Sequence, residues 1–329
     1  MNGWIILDKP LGLSSSQAVG AVKRILRQND YGRPKVGHGG TLDPLATGVL
    51  PVALGEATKL TGRMLDADKR YDFTIGFGVE TDTLDAEGAA VATSAVRPSL
   101  AEVEAMLARF TGRIEQMPPA YSALKVDGRR AYDLARAGEE VPLKARAVEI
   151  YSLTLNSSLE GRGGVLSLSK DGGGVFRPKP RHRPAGGFPP PPGEDIDSVT
   201  LSVRCSKGTY VRSLARDIAH ALGTVGHVTM LRRTKAGPFT PDQAIPLDTL
   251  EEIGQGRALE QVLLPMTAGL DDIPALALTP DQARRLRMGQ QLAGIAANQG
   301  LHLATDGPVP VALVEVSGQE VRVVRGFNL

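Results

Sequence analysis

A single cysteine, Cys205, among 329 residues excludes an internal disulfide and a zinc site of the usual paired-cysteine kind, and it fits a reducing compartment. No stretch approaches the roughly 18 consecutive apolar residues of a membrane span. The first residues, Met1 to Pro10, lack the basic-then-apolar layout of a secretory signal, so the expected location is the cytoplasm, away from membranes. The common cofactor signatures are also missing. There is no Gly-x-x-x-x-Gly-Lys-Ser/Thr, no Gly-x-Gly-x-x-Gly and no His-Glu-x-x-His, so nucleotide hydrolysis and hydride transfer lose their usual support.

An excess of charge is lacking too, since the formal net charge is only +2, but the bases are unevenly placed. Between Arg204 and Lys235 seven bases (Arg204, Lys207, Arg212, Arg216, Arg232, Arg233, Lys235) face one acid, Asp217. Residues 1 to 38 hold six bases against Asp8 and Asp30. Two basic segments of this kind suit a polyanionic partner, although either alone is equally a solvated face.

With 42% hydrophobic and 22% charged residues the chain has ordinary globular composition and the length for one large domain plus a small one. Ser14 to Ser16 can cap a helix with Val19, Val22 and Leu26 on one face, and Ser99 with Glu102 forms a capping box before Leu100, Val103 and Leu107. Strand patterns run through Tyr71 to Ile75, Val148 to Leu155 and Val199 to Cys205, and Leu214, Ile218 and Leu222 share a helix face closed by Gly223. The alternation suggests an α+β body with a mixed, mostly antiparallel sheet. Residues 156 to 197, with nine glycines and seven prolines, read as a mobile insertion with only Val165 to Leu168 strand-like. The expected division is a body over 1–247, an acid-leaning linker over 248–269 and a small β-rich module over 270–329, with a helix from Thr279 to Gly289 and a hairpin around Ser317-Gly318.

Within residues 37 to 51 the one charged residue is Asp43, carried by a glycine-rich run, Gly37-His38-Gly39-Gly40-Thr41-Leu42-Asp43-Pro44. No second carboxylate lies near it in sequence, so its simplest chemistry is that of a lone nucleophile or base. A glycosidase using Asp43 as nucleophile would need a second carboxylate that the loop does not offer. His38 suits either general-base work or a shape and hydrogen-bonding role. Tyr71, after Lys69-Arg70, could stack a nucleobase while the bases hold phosphate, or could be a core tyrosine. Ser206 to Arg212, at a strand-to-helix junction, could hold an anion, and that anion could be Asp43 itself, paired with Arg212. Asp82, Asp85 and Glu87 could bind a metal, but their run reads as readily as a polar turn.

These motifs, together with Lys9-Pro10-Leu11-Gly12 and Tyr121-Ser122-Ala123-Leu124-Lys125, closely resemble the TruB family of bacterial tRNA pseudouridine-55 synthases, over nearly the whole chain. The resemblance implies the pseudouridine-synthase fold and a reduced PUA-like domain over about 270 to 329. It implies isomerisation of one uridine in the T arm of tRNA without metal or cofactor, by a monomer needing no protein partner. It makes Asp43 the catalytic carboxylate, acting at C1′ or C6 as nucleophile or at C2′ as base. It makes Tyr71 the stacking platform, Arg212 the ion-pair partner of Asp43, and Tyr210 and Leu231 part of the pocket wall. His38 becomes the wedge that fills the space of the flipped base, and Lys9, Lys69 and Lys207 become contacts to the RNA. A protein that binds or folds RNA without catalysis is the competing reading, which would need only the basic segments.

Overall fold

In the computed structural model, residues 1–126, 128–139, 141–156 and 195–329 are described, so the insertion expected over 156 to 197 lies almost wholly outside the described residues. The chain forms two compact units, one of Met1–Arg70 with Arg232–Leu329, the other of Tyr71–Leu231. It opens with strand β1 (Gly3–Lys9), helix α1 (Ser15–Gln28), β2 (Val36–His38), β3 (Ala46–Leu54) and the short α2 (Thr61–Asp66). Strand β4 (Lys69–Phe77) carries it into the second unit, where β5 (Val79–Thr81) and β6 (Ala90–Thr93) pair, α3 (Leu100–Leu107) leads to β7 (Gly112–Gln116), and β8 (Lys125–Val126) with β9 (Arg129–Arg130) precedes α4 (Ala131–Arg136). Strands β10 (Arg146–Leu155) and β11 (Ser198–Cys205) and helix α5 (Val211–Ala221) follow. Strand β12 (Gly226–Ala236) returns to the first unit, which ends with β13 (Ile245–Pro246), α6 (Leu247–Gln255), β14 (Ala275–Ala277), α7 (Pro280–Arg287), β15 (Leu292–Ala293), β16 (Gly300–Asp306), β17 (Val309–Ser317) and β18 (Glu320–Gly326).

Local chemistry sets the helix starts. Ser14 caps α1 in a capping box with Gln17, Ser99 caps α3 with Glu102, and Thr279 caps α7 with Gln282 behind Pro280. Each satisfies backbone N–H groups that a bare helix end leaves unpaired. Val19, Val22, Ile25 and Leu26 bury one face of α1, as their spacing predicts.

In the first unit β1 lies antiparallel to β3, with Lys9 opposite Gly48, and parallel to β13, while β2 is antiparallel to β3 with His38 opposite Val52. A second sheet, in the order β14-β16-β17-β18-β15, occupies the region expected to form the small C-terminal module. It has an apolar cluster of its own around Ala283, Leu286, Val314 and Val321. Leu303 and Leu313 of this sheet, with Phe327 just after β18, join another cluster with Trp4, Ile6, Val49 and Phe239, so the N- and C-terminal parts of this unit share a core. The stretch 248–269, read from sequence as a connector, contains α6 instead. That helix packs so closely on α1 that a Cβ at Gly254 would stand 2.5 Å from Ile25 Cγ2, and Arg24 pairs with Glu251.

In the second unit the strands follow the order β4-β11-β10-β7, with β10 antiparallel to both β11 and β7. Mixed sheets with helices give an α+β fold, as the strand and helix patterns implied. No helix among the described residues is long and apolar enough to cross a membrane.

Trp4 is fully buried, its ring centroid 5.4 Å from that of Phe239 and its Nε1 donating to the Met266 carbonyl at 3.0 Å. Trp4→Ala therefore removes a large apolar ring and orphans a buried acceptor, and should lower the unfolding free energy by about 3–5 kcal/mol. Urea denaturation followed by circular dichroism reads this directly; a midpoint shift within error would show that the shared core of the first unit does not depend on the ring.

Candidate active site

The Asp43 loop joins β2 to β3 in the first unit, and its backbone is fastened residue by residue. Ser15, 1% exposed, donates its hydroxyl to the Leu42 carbonyl at 3.0 Å and accepts the Leu42 N–H at 2.7 Å. The Pro44 carbonyl, on the other side of Asp43, accepts from the Gly12 N–H at 2.9 Å and from Lys9 Nζ at 3.4 Å. Lys9 is fully buried, and its ammonium also serves the Leu13 carbonyl at 2.5 Å and the Pro10 carbonyl at 2.9 Å. Asp43 itself is partly exposed and accepts the Ala46 N–H through its own carbonyl at 3.1 Å. The residues on both sides of it are thus held, and the carboxylate stands on a backbone with little freedom.

Two of the expected RNA contacts are buried here. Lys9 donates to three carbonyls, and Lys69, also buried, donates to the Leu65 and Ala67 carbonyls at 2.6 Å each. The resemblance implies that they also contact the RNA; their buried ammonium groups hold chain carbonyls, because a buried ammonium must find acceptors locally.

His38 lies on β2 close to the loop. Burial, reinforced by the charge of Arg233, holds its imidazole below the usual histidine value, against a smaller opposing effect of the Gly40 backbone. Its Nδ1 is buried without a hydrogen-bond partner in the structure. A neutral ring at pH 7 suits the wedge expectation better than a cationic one.

The second unit holds Tyr71 at the head of β4, Lys207 and Tyr210 before α5, Arg212 in its first turn and Leu231 on β12. Arg212 is 6% exposed. It donates Nη1 to the Thr83 carbonyl at 2.7 Å and Nη2 to the Tyr121 carbonyl at 2.9 Å, and it stands 3.4 Å from Asp85 Oδ2. Asp85, 2% exposed, accepts in turn from the Thr83 hydroxyl at 2.6 Å and the Glu87 N–H at 3.0 Å. The acidic run Asp82 to Glu87 thus supplies a buried counter-ion where the sequence offered a metal site or a turn. Among the described residues no group of three or more His, Cys, Asp or Glu side chains could hold a metal ion. Gln116 brackets Tyr210, accepting its N–H at 2.8 Å and donating to its carbonyl at 3.1 Å. Tyr71 and Tyr210 are partly exposed, Lys207 is exposed and Leu231 is buried.

The basic segment 204–235 is less of a surface than its composition suggested. Arg212 and Arg233 are buried, Arg216 pairs with Asp217 at 2.7 Å, and Arg232 makes a two-pronged contact with Asp8 at 3.0 and 2.9 Å. Arg204 lies 4.9 Å from the centroid of the exposed Tyr151 ring. Ser15, Asp85, Gln116 and Arg233 were not singled out from sequence for the places they hold. Nothing local marks them, because each acts on a residue far away in the chain.

The fold recurs in solved structures of other proteins. A solved structure of an H/ACA RNP bound to a substrate RNA containing 2′-deoxyuridine matches with TM-score 0.67 over 99% of this chain and 85% of that one, at 23% identity. A Cbf5-Nop10-Gar1 complex matches with TM-score 0.66 at 24% identity, over 99% of this chain and 85% of the other. Both likenesses concern the fold. The family model for the N-terminal domain of TruB family pseudouridylate synthases matches residues 23–166, and that for the tRNA pseudouridylate synthase B C-terminal domain matches residues 212–271. The tRNA pseudouridine synthase B of Novosphingobium aromaticivorans is 59% identical over 329 residues, covering 100% of this chain and 98% of that protein. That of Zymomonas mobilis is 54% identical, over 100% and 96%. The chain belongs to the TruB family of pseudouridine synthases.

The buried Arg212–Asp85 pair should be costly to break from one side. Asp85→Ala withdraws the carboxylate 3.4 Å from a guanidinium 6% exposed and should lower stability by about 1–3 kcal/mol, read by urea denaturation; a loss below about 0.5 kcal/mol would place the pair among weak surface bridges. His38 gives a pH prediction. Its pKa is lower folded than unfolded, so the unfolded chain binds the extra proton first, and stability falls as pH drops below about 6.5 toward the folded value. His38→Gln should flatten that part of the stability curve, and an unchanged curve would remove His38 as its source.

Proposed function

We propose that this chain isomerises uridine 55 in the T arm of tRNA to pseudouridine, without cofactor, as a monomer in the cytoplasm. The observation that carries the reading is end-to-end similarity, at 59% identity, to a tRNA pseudouridine synthase B, in a chain that keeps Asp43 on a fastened loop. The reaction breaks the N1–C1′ bond, turns the uracil within the site and joins C5 to C1′. The C5 proton leaves and N1 ends protonated. Asp43 is the catalytic carboxylate, attacking C1′ or C6 or removing a proton at C2′; each course begins from the ionised group, which needs no metal.

Tyr71 stacks on the uracil and, with Tyr210 and Leu231, encloses it, while Arg212 is the cationic partner of Asp43. Extruding a base from a folded arm costs a few kcal/mol in general. Stacking on one aromatic side chain returns roughly 1–3 kcal/mol, and the neutral, partly buried His38 fills the gap left in the RNA. Lys207, exposed before α5, grips phosphate, and the C-terminal sheet extends the RNA surface as a PUA-like domain.

The test is release of tritium from C5 of uracil in an unmodified tRNA transcript. Wild type should release label and Asp43→Asn should not; release by both, or by neither while tRNA binds tightly, would overturn the assignment. Lys207→Ala should weaken tRNA binding and reduce its salt dependence by about one unit of slope while leaving kcat near wild type. An unchanged salt slope would remove Lys207 from the RNA interface.

A further inference from the structure

Arg233 is among the largest fully buried side chains of the protein, at 1% exposure, on a strand whose second half belongs to the same unit as the Asp43 loop. A buried guanidinium must place its N–H groups on acceptors, and this one places three of them on the two ends of one loop. Nε donates to the Val49 carbonyl at 2.7 Å, just after the loop. Nη1 donates to the Thr41 carbonyl at 3.3 Å and Nη2 to the Gly40 carbonyl at 3.2 Å, just before Asp43. The backbone of the same residue closes on the loop from behind. At Gly48, whose φ is +98°, a Cβ would stand 2.3 Å from the Arg233 carbonyl oxygen and 3.0 Å from its nitrogen.

We propose that Arg233 is a positioning residue for the reaction: its guanidinium ties the two flanks of the Asp43 loop to each other and to β12, fixing where the carboxylate is presented. The three donors sit on three different nitrogens of one planar group and spread to both flanks of the loop, whereas a lysine would donate every bond from one nitrogen. Ser15 and Lys9 hold the residues beside Asp43 from the side of α1 and β1, and Arg233 holds the loop ends from β12, so the loop is tied on two sides. A small misplacement of a reacting group is enough to slow chemistry by about a hundredfold.

The inference rests on the functional reading above, and its test separates the two. Arg233→Lys keeps the charge and loses the fork, and Gly48→Ala attacks the same junction from β3. Both variants, with wild type, are compared for single-turnover tritium release from tRNA, for tRNA Kd, and for amide hydrogen exchange across residues 41 to 47 and α1. Each variant should lose about a hundredfold in single-turnover rate, keep its Kd within about twofold, and exchange faster over 41 to 47 while α1 stays protected. Either folded variant turning over at the wild-type rate would overturn the proposal, as would a loss of rate matched by equal loss of protection throughout the unit. Should Arg233→Lys fail to fold, Gly48→Ala decides. Should wild type release no label, the functional reading fails and the exchange of residues 41 to 47 alone decides the place of Arg233, with unchanged exchange overturning it.

Discussion

A single carboxylate can do demanding chemistry only where its backbone is immobile, and the geometry around Asp43 depends on how that immobility is obtained. The loop is too rich in glycine to be stiff by itself. Its carbonyls are instead directed onto buried donors: Gly40, Thr41 and Val49 onto Arg233, Leu42 onto Ser15, Pro44 onto Lys9. Each bond is modest alone, but bonds to charged donors in a buried setting are worth more than their neutral counterparts, and leaving such a cation unsatisfied is costly. Glycine gives the close approach that lets the bonds form, and the buried donors then supply the stiffness that glycine lacks.

The second unit uses the same physics with the signs arranged differently. Arg212 is sunk among two carbonyls and the Asp85 carboxylate, and Asp85 is itself satisfied by the Thr83 hydroxyl and a backbone N–H. A complete network of this kind orients a guanidinium far better than an exposed ion pair, since the side chain has no competing water to turn toward. Gln116 does for the Tyr210 backbone what Ser15 does for Leu42: one side chain serves both the N–H and the carbonyl of one residue.

Charge counted along the chain proved a weak guide to surface. Seven bases in 32 positions suggested a grip on a polyanion, yet Arg212 and Arg233 face inward and Arg216 and Arg232 lie against carboxylates. Lysines show the same. Lys9 and Lys69 are buried fasteners, while Lys207 is exposed. The reason is that a cation has two stable situations, in water or among acceptors, and residue type does not choose between them.

What could be read from sequence was local. The capping boxes at Ser14, Ser99 and Thr279, the helix faces of α1 and α5, the strands at 71, 148 and 199, and the solitary Asp43 on its glycine loop all depend on neighbours a few residues away, and the long motifs carried the family resemblance. Tertiary structure decided the rest: that the connector after residue 247 begins with a helix packed on α1, that Asp85 partners Arg212 across 127 positions, and that Arg233 reaches back almost two hundred residues to the loop. Those contacts are set by which strands lie side by side, and strand adjacency is a property of the whole chain's core rather than of any short stretch within it.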